Sequence, residues 1–90
     1  MRFRWDPSKS AKCRAERGFD FDYASRVFSD PSHCIVDSSR RGEARYKVYG
    51  MIEGRVYVVV YTPRPGSIYR IISARKAKPR EVREYEDSGN

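Results

Sequence analysis

The chemistry open to this chain is set first by what it has few of. A single histidine, His33, and two cysteines, Cys13 and Cys34, leave no histidine pair for proton transfer and no nitrogen–sulfur ligand set for zinc. With neither a P-loop nor a GxGxxG run, no cofactor and no metal are expected. Catalysis then falls to Lys, Arg, Glu, Asp, Tyr, Ser or Cys. What the chain has in excess is cation. Nineteen Lys and Arg against twelve Asp and Glu give a formal charge of +7, which favours a polyanionic partner: nucleic acid, anionic lipid or an acidic protein. The charge is uneven. Arg64, Arg70, Arg75, Lys76, Lys78 and Arg80 put six cations between Pro63 and Arg80 with no acid among them, a candidate phosphate-facing surface. Arg70, flanked by Ile68, Ile71 and Ile72, must be ion-paired or face a cleft. Lys9 sits near the start of the first helix, where the dipole prefers an acid, so local stability does not explain it.

Ninety residues make one small domain, residues 1–90, and seven Tyr, four Phe and one Trp supply a core beneath a surface that is 34% charged. No stretch nears the ~18 apolar residues of a membrane span, and MRFRWDPSKS lacks a signal peptide's apolar run, so the expected location is the cytoplasm. Asp6-Pro7 predicts a helix from Pro7 to Arg17 that stops at Gly18. Asp20 caps a second, with Phe21, Ala24 and Phe28 on one stripe, ended by Asp30-Pro31. The period then changes to that of strands. Cys34–Val36 is short, Glu43–Tyr49 alternates with Glu43, Arg45 and Lys47 on one face, and Val56–Tyr61 is apolar on both faces and so central. After the turn Pro63–Gly66, strict alternation over Ser67–Arg75 puts Ile68, Arg70, Ile72 and Ala74 on one face. Lys78-Pro79 opens a short last helix carrying Val82 and Tyr85, and Asp87–Asn90 reads as a tail. The sum is an α+β fold with two N-terminal helices, a four-stranded, mainly antiparallel sheet and a short C-terminal helix.

Particular residues carry a resemblance over nearly the whole chain. They are Trp5-Asp6-Pro7 with Lys9; Phe21 through Val27-Phe28 to Asp30-Pro31; Gly42-Glu43 with Arg45 and Gly50; and Arg70 through Ala77, followed by Arg80, Glu81 and Tyr85. In these the chain resembles the BrnT toxins of type II toxin–antitoxin systems, whose fold is similar to RelE-type ribonucleases. The resemblance implies a bacterial, cytoplasmic, RelE-like toxin that cuts RNA, inhibits translation, and is held inactive in a hetero-oligomer by a BrnA-like antitoxin. That partner brings the DNA-binding domain, so the toxin meets DNA only indirectly. The chain departs from the family's usual pattern in the first helix, where Cys13 and Glu16-Arg17-Gly18 replace an Asn and a Lys-His-Gly run.

A metal-independent endoribonuclease must activate a ribose 2′-OH, stabilise charge on the reacting phosphorus and protonate the 5′ oxygen. With that chemistry implied, Glu43 is the candidate general base, with Lys9 or a Tyr as alternative proton carriers. Arg45, Arg70 and Arg75 are candidates for the phosphate clamp, because a planar guanidinium binds phosphate in bidentate fashion. Arg64, Lys76 and Arg80 would hold RNA backbone, and Tyr85 or Trp5 would stack on a base. Structural alternatives stand beside each role. Glu43 and Arg45 also suit an exposed ion pair worth under ~1 kcal/mol, Tyr85 and Trp5 suit the core, and Arg75 and Lys76 suit a solvated strand end or an antitoxin contact. The same residues also suit a second function: a degenerate, non-catalytic module that docks an antitoxin or nucleic acid through the same basic face.

Overall fold

The computed structural model describes residues 1–88. Strand β1 (Arg2–Arg4) leads into α1 (Pro7–Arg17) and α2 (Phe21–Ala24), which continues as a 3₁₀ segment, Ser25–Ser29. Strands β2 (Cys34–Asp37), β3 (Tyr46–Ile52), β4 (Arg55–Arg64) and β5 (Ile68–Lys76) follow, and α3 (Pro79–Ser88) closes the chain. No helix among the described residues is long and apolar enough to cross a membrane.

The helix starts follow their capping residues. The Asp6 side chain accepts from the Ser8 amide at 2.9 Å, Pro7 takes the first helical position, and Gly18 ends α1 at φ 85°. Asp20 caps α2 by accepting from the Tyr23 amide. The second helix is shorter than the stripe of Phe21, Ala24 and Phe28 predicts. The Ser25 hydroxyl donates to the Asp22 carbonyl at 2.7 Å, a side-chain bond that competes with the α ladder, and the backbone tightens to 3₁₀ from there.

The sheet has five strands in the order β1-β5-β4-β3-β2, not the expected four. The extra strand, Arg2–Arg4, is too short for alternation to reveal, and it pairs parallel to β5 where the remaining pairs are antiparallel. It is anchored by Phe3, whose ring lies 5.1 Å from Phe28 and 6.3 Å from Tyr69. Strand β4 runs on through Pro63, beyond its last pair with β3 at Tyr46–Tyr61, where a missing N–H is tolerated as on an edge strand. Strict alternation fails in β5. Val60 pairs with Ser73 and Tyr61 with Ile71, so Ile72 is an extra residue that shifts the register. Before it, Tyr69 and Ile71 face the helices; after it, Ala74 does. Arg70 therefore shares a face with Ser73 and Arg75, not with Ile72 and Ala74.

Helices cover both sheet faces unequally. Cys13, Phe21, Ala24 and Val27 pack with Val48, Val59, Ile71 and Ala74 on one face; Val82 and Tyr85 of α3 pack with Tyr49, Val56 and Val58 on the other. Asp87 and Ser88, expected in a tail, belong to α3, and Gly89 and Asn90 lie outside the described residues. The 3₁₀ segment packs tightly on the sheet at Gly50, where an added Cβ would meet both the Cβ and the carbonyl oxygen of Val27 at 2.7 Å. Gly50→Ala is accordingly expected to lower stability by about 1–3 kcal/mol, as overpacking does, measured by chemical denaturation against the native chain.

Candidate functional site

Because α3 covers only one end of its face, two rows of side chains beside it remain open. Strand registers define them. Lys47 lies opposite Val60, which lies opposite Ser73; in the next row Thr62 lies opposite Arg70, which lies opposite Arg4. Arg64 and Arg2 flank Ile68 at the far corner. Arg2, Arg4, Arg64 and Arg70 are exposed, and among the described residues none of them, nor Lys47, makes a salt bridge.

The Glu43–Arg45 segment is fastened to the rim of this face. Arg40 and Glu43 exchange backbone bonds of 3.1 and 2.8 Å across a two-residue turn in which Arg41 and Gly42 have φ of 49° and 79°. Buried Thr62 donates its hydroxyl to the Ala44 carbonyl at 2.7 Å, and the β3–β4 register continued by one residue sets Arg45 opposite Thr62. The Arg45 guanidinium donates to the Glu43 carboxylate at 3.1 Å. Arg40, Arg41, Glu43 and Arg45 line a surface cleft of about 630 Å³. Glu43 and Arg45 thus lie at the rim beside Thr62, whose row continues to Arg70 on the next strand, a pairing of carboxylate and guanidinium that suits proton abstraction beside a bound phosphate.

Two clamps hold α3 in place. Arg75 makes a bidentate pair with Glu81, Nη1 to Oε1 at 2.7 Å and Nη2 to Oε2 at 2.8 Å, and Glu81 also caps the helix by accepting from the Lys78 amide. The Arg75 hydrogen bonds hold the Glu81 carboxyl down to about 2. At the other end the Tyr85 hydroxyl donates to Asp30, which also accepts from the Met51 amide at 2.8 Å. Burial would raise the Asp30 carboxyl, but these donors outweigh it and it lies below its ordinary value, while the same bond pushes Tyr85 up to about 12.

The remaining predicted residues lie elsewhere. Arg75 faces the open side but is occupied by Glu81, and Tyr85 is buried on Asp30. Trp5 packs edge-on against Phe21 with ring centres 6.5 Å apart. Lys9 lines a groove with Lys12 and Ile72 on the helix side, Lys76 faces that same side beside Arg17 and Phe19, and Arg80 is exposed on α3, 3.9 Å from Glu84. Sequence reasoning missed Arg2, Arg4, Lys47, Thr62 and Ser73. A three-residue segment carries no readable period, so nothing marked the first two, and Thr62 carried no charge to mark it. Among the described residues no three His, Cys, Asp or Glu side chains gather that would hold a metal ion.

Residues 5–81 match the family described as ribonuclease toxin, BrnT, of type II toxin–antitoxin system. Among solved structures, the chain is similar to the Brucella abortus ribonuclease toxin BrnT, with a TM-score of 0.67 and 25% identity over 87% of this chain and 97% of that one. Comparison with curated proteins finds no match.

The Arg75–Glu81 clamp carries a pH dependence of definite sign. A carboxyl ordinarily near 4.5 but near 2 when folded stabilises the fold fully above pH 4.5 and loses that contribution as pH falls from 4.5 toward 2. The contribution is on the order of 3 kcal/mol at neutral pH. Denaturant midpoints taken from pH 7 to pH 2 should fall across that window in the native chain, and Glu81→Gln should start lower at pH 7 with a flatter profile.

Proposed function

The chain belongs to the BrnT family of ribonuclease toxins of type II toxin–antitoxin systems, and from that membership we propose that it is a metal-independent endoribonuclease that inhibits translation in the bacterial cytoplasm. Its helical segments on a mainly antiparallel sheet fit a RelE-like toxin. A BrnA-like antitoxin would neutralise it in a hetero-oligomer and make the DNA contacts.

The observation that carries the reading is the uncovered, acid-poor sheet face with Glu43 and Arg45 at its rim and Arg70 exposed in the same row as Thr62. In this reading Arg70 and Arg45 bind the scissile phosphate. Glu43 takes the proton of the 2′-OH, O2′ forms a bond to phosphorus, and the P–O5′ bond breaks. Lys47, on the same face, protonates the departing O5′, leaving a 2′,3′-cyclic phosphate. Arg64 holds flanking backbone, and Arg75 acts through Glu81 as a positioning residue for α3. Arg80, exposed on α3, supplies an outlying backbone contact, whereas Lys76 lies on the helix side of the sheet, away from this strand of RNA. The departures at Cys13 and Arg17 fall in α1, on the opposite side of the sheet from this face, so they leave its groups in place.

Purified chain should cleave single-stranded RNA without added metal. Arg70→Ala should lower the single-turnover rate about 10²–10³-fold and Glu43→Gln about 10²–10⁴-fold, with antitoxin capture within a few-fold of wild type. Growth arrest on induction without antitoxin should vanish in both variants. Soluble, folded wild type that leaves RNA intact, or an Arg70→Ala variant as active as wild type, would replace this reading with that of a non-catalytic docking module.

A further inference from the structure

We propose that β1 is a dedicated part of the RNA-binding surface, with Arg2 and Arg4 each contacting a backbone phosphate of the single strand that crosses the open face; the inference rests on the ribonuclease reading of that face. Three observations carry it. Phe3 turns into the aromatic cluster of Phe28 and Tyr69, so the period of two in a strand obliges Arg2 and Arg4 to face the open side. The parallel register then sets Arg4 directly beside Arg70, and Arg2 across Ile68 from Arg64, so that four exposed arginines share one corner. No acid relieves them: among the described residues none of the four makes a salt bridge, and the Arg4 guanidinium bonds only to the Phe3 carbonyl at 3.4 Å.

Like charges directly across neighbouring strands cost stability, and an edge strand has water on its free side where an acid would be accommodated at no cost. A corner built of arginine alone is therefore suited to a ligand that brings regular negative charge. Arg2 and Arg4 stand roughly 6.6 Å apart along the strand, two residues at about 3.3 Å each, a step that one extended nucleotide spans. Within the corner Arg4 adjoins Arg70 with no intervening residue on the face. RNA leaving the cleavage centre toward β1 would thus pass from Arg70 to Arg4 and on to Arg2 and Arg64.

The test is the salt dependence of binding, using a short, fluorescein-labelled, fully 2′-O-methylated single strand, which binds but offers no 2′-OH for attack. Removing one cation that neutralises a phosphate should make the slope of log K against log salt shallower by about 0.7. Arg2→Ala/Arg4→Ala should therefore flatten it by about 1.4, and Arg2→Lys/Arg4→Lys, which keeps both charges, should restore it. Thermal melts of both doubles separate weakened phosphate binding from unfolding. A slope unchanged in the alanine double beside a shallower one in Arg70→Ala would overturn the role of β1 and leave the RNA reading standing. An unchanged slope with weakened antitoxin capture would overturn it in favour of a protein-docking corner. No salt-dependent binding by the wild type would overturn both readings together.

Discussion

One extra residue decides what this sheet presents. Without the bulge at Ile72, the strict alternation of β5 would put Arg70 on the same face as Ala74, and the two could not both be placed well. Either Arg70 would be driven under the helices, where an unpaired guanidinium costs several kcal/mol, or Ala74 would leave the core and take with it the carbonyl that Cys13 contacts. The register shift between Val60 and Tyr61 removes the conflict. Ile71 and Ala74 both reach the helix side, while Arg70, Ser73 and Arg75 share the other. Bulges commonly re-aim a side chain in this way, at the expense of one unpaired residue.

The face so created stays open because α3 is short and is tied down at one end of it. Ten helical residues span about 15 Å. The Arg75–Glu81 pair and the Tyr85–Asp30 bond fix that span over Tyr49, Val56 and Val58. Arg75 and Tyr85 thus join β5 and the loop after the 3₁₀ segment to the same helix, and they serve the surface by keeping α3 off the Lys47 and Arg70 rows. Burial of so few apolar groups would hold a ten-residue helix weakly by itself. The charge-assisted bonds supply the remainder, which explains why two side chains that look suited to RNA from the sequence are engaged inside the fold.

Much of the architecture could be read from residues whose effect is local. Asp6-Pro7 and Gly18 bound α1 as expected, and the apolar run Val56–Tyr61 lies in a central strand. What escaped depends on partners distant in sequence. A three-residue strand has no period of its own, so β1 exists only because Phe3 finds Phe28 and Tyr69. The bulge is invisible in β5 alone, since it is the pairing with β4 that leaves Ile72 over. At the site, Glu43, Arg45 and Arg70 were legible as types of residue. That the Glu43–Arg45 segment is fastened beside the Arg70 row was not, because the tie is a Thr62 hydroxyl that carries no charge and stands out in no pattern.

The two faces of the sheet also divide stability from charge. Aromatic rings gather on the helix side, where Tyr61 and Tyr69 stack at 4.6 Å and Phe28 meets both, directly behind the corner that carries Arg2, Arg4, Arg64 and Arg70. Aromatic pairs contribute about 0.5–1.5 kcal/mol each beyond their burial, enough to offset cross-strand repulsion of about 0.2–1 kcal/mol per pair. A fold so arranged tolerates an unneutralised cationic face in the free protein and keeps the attraction in reserve. Any polyanion seated there gains the attraction and also removes the repulsion, so binding and folding reinforce one another through the same four side chains. Placing an acid in this corner would stabilise the free chain and weaken its hold on anions by the same interaction, and that opposition is a physical reason for the corner to be arginine throughout.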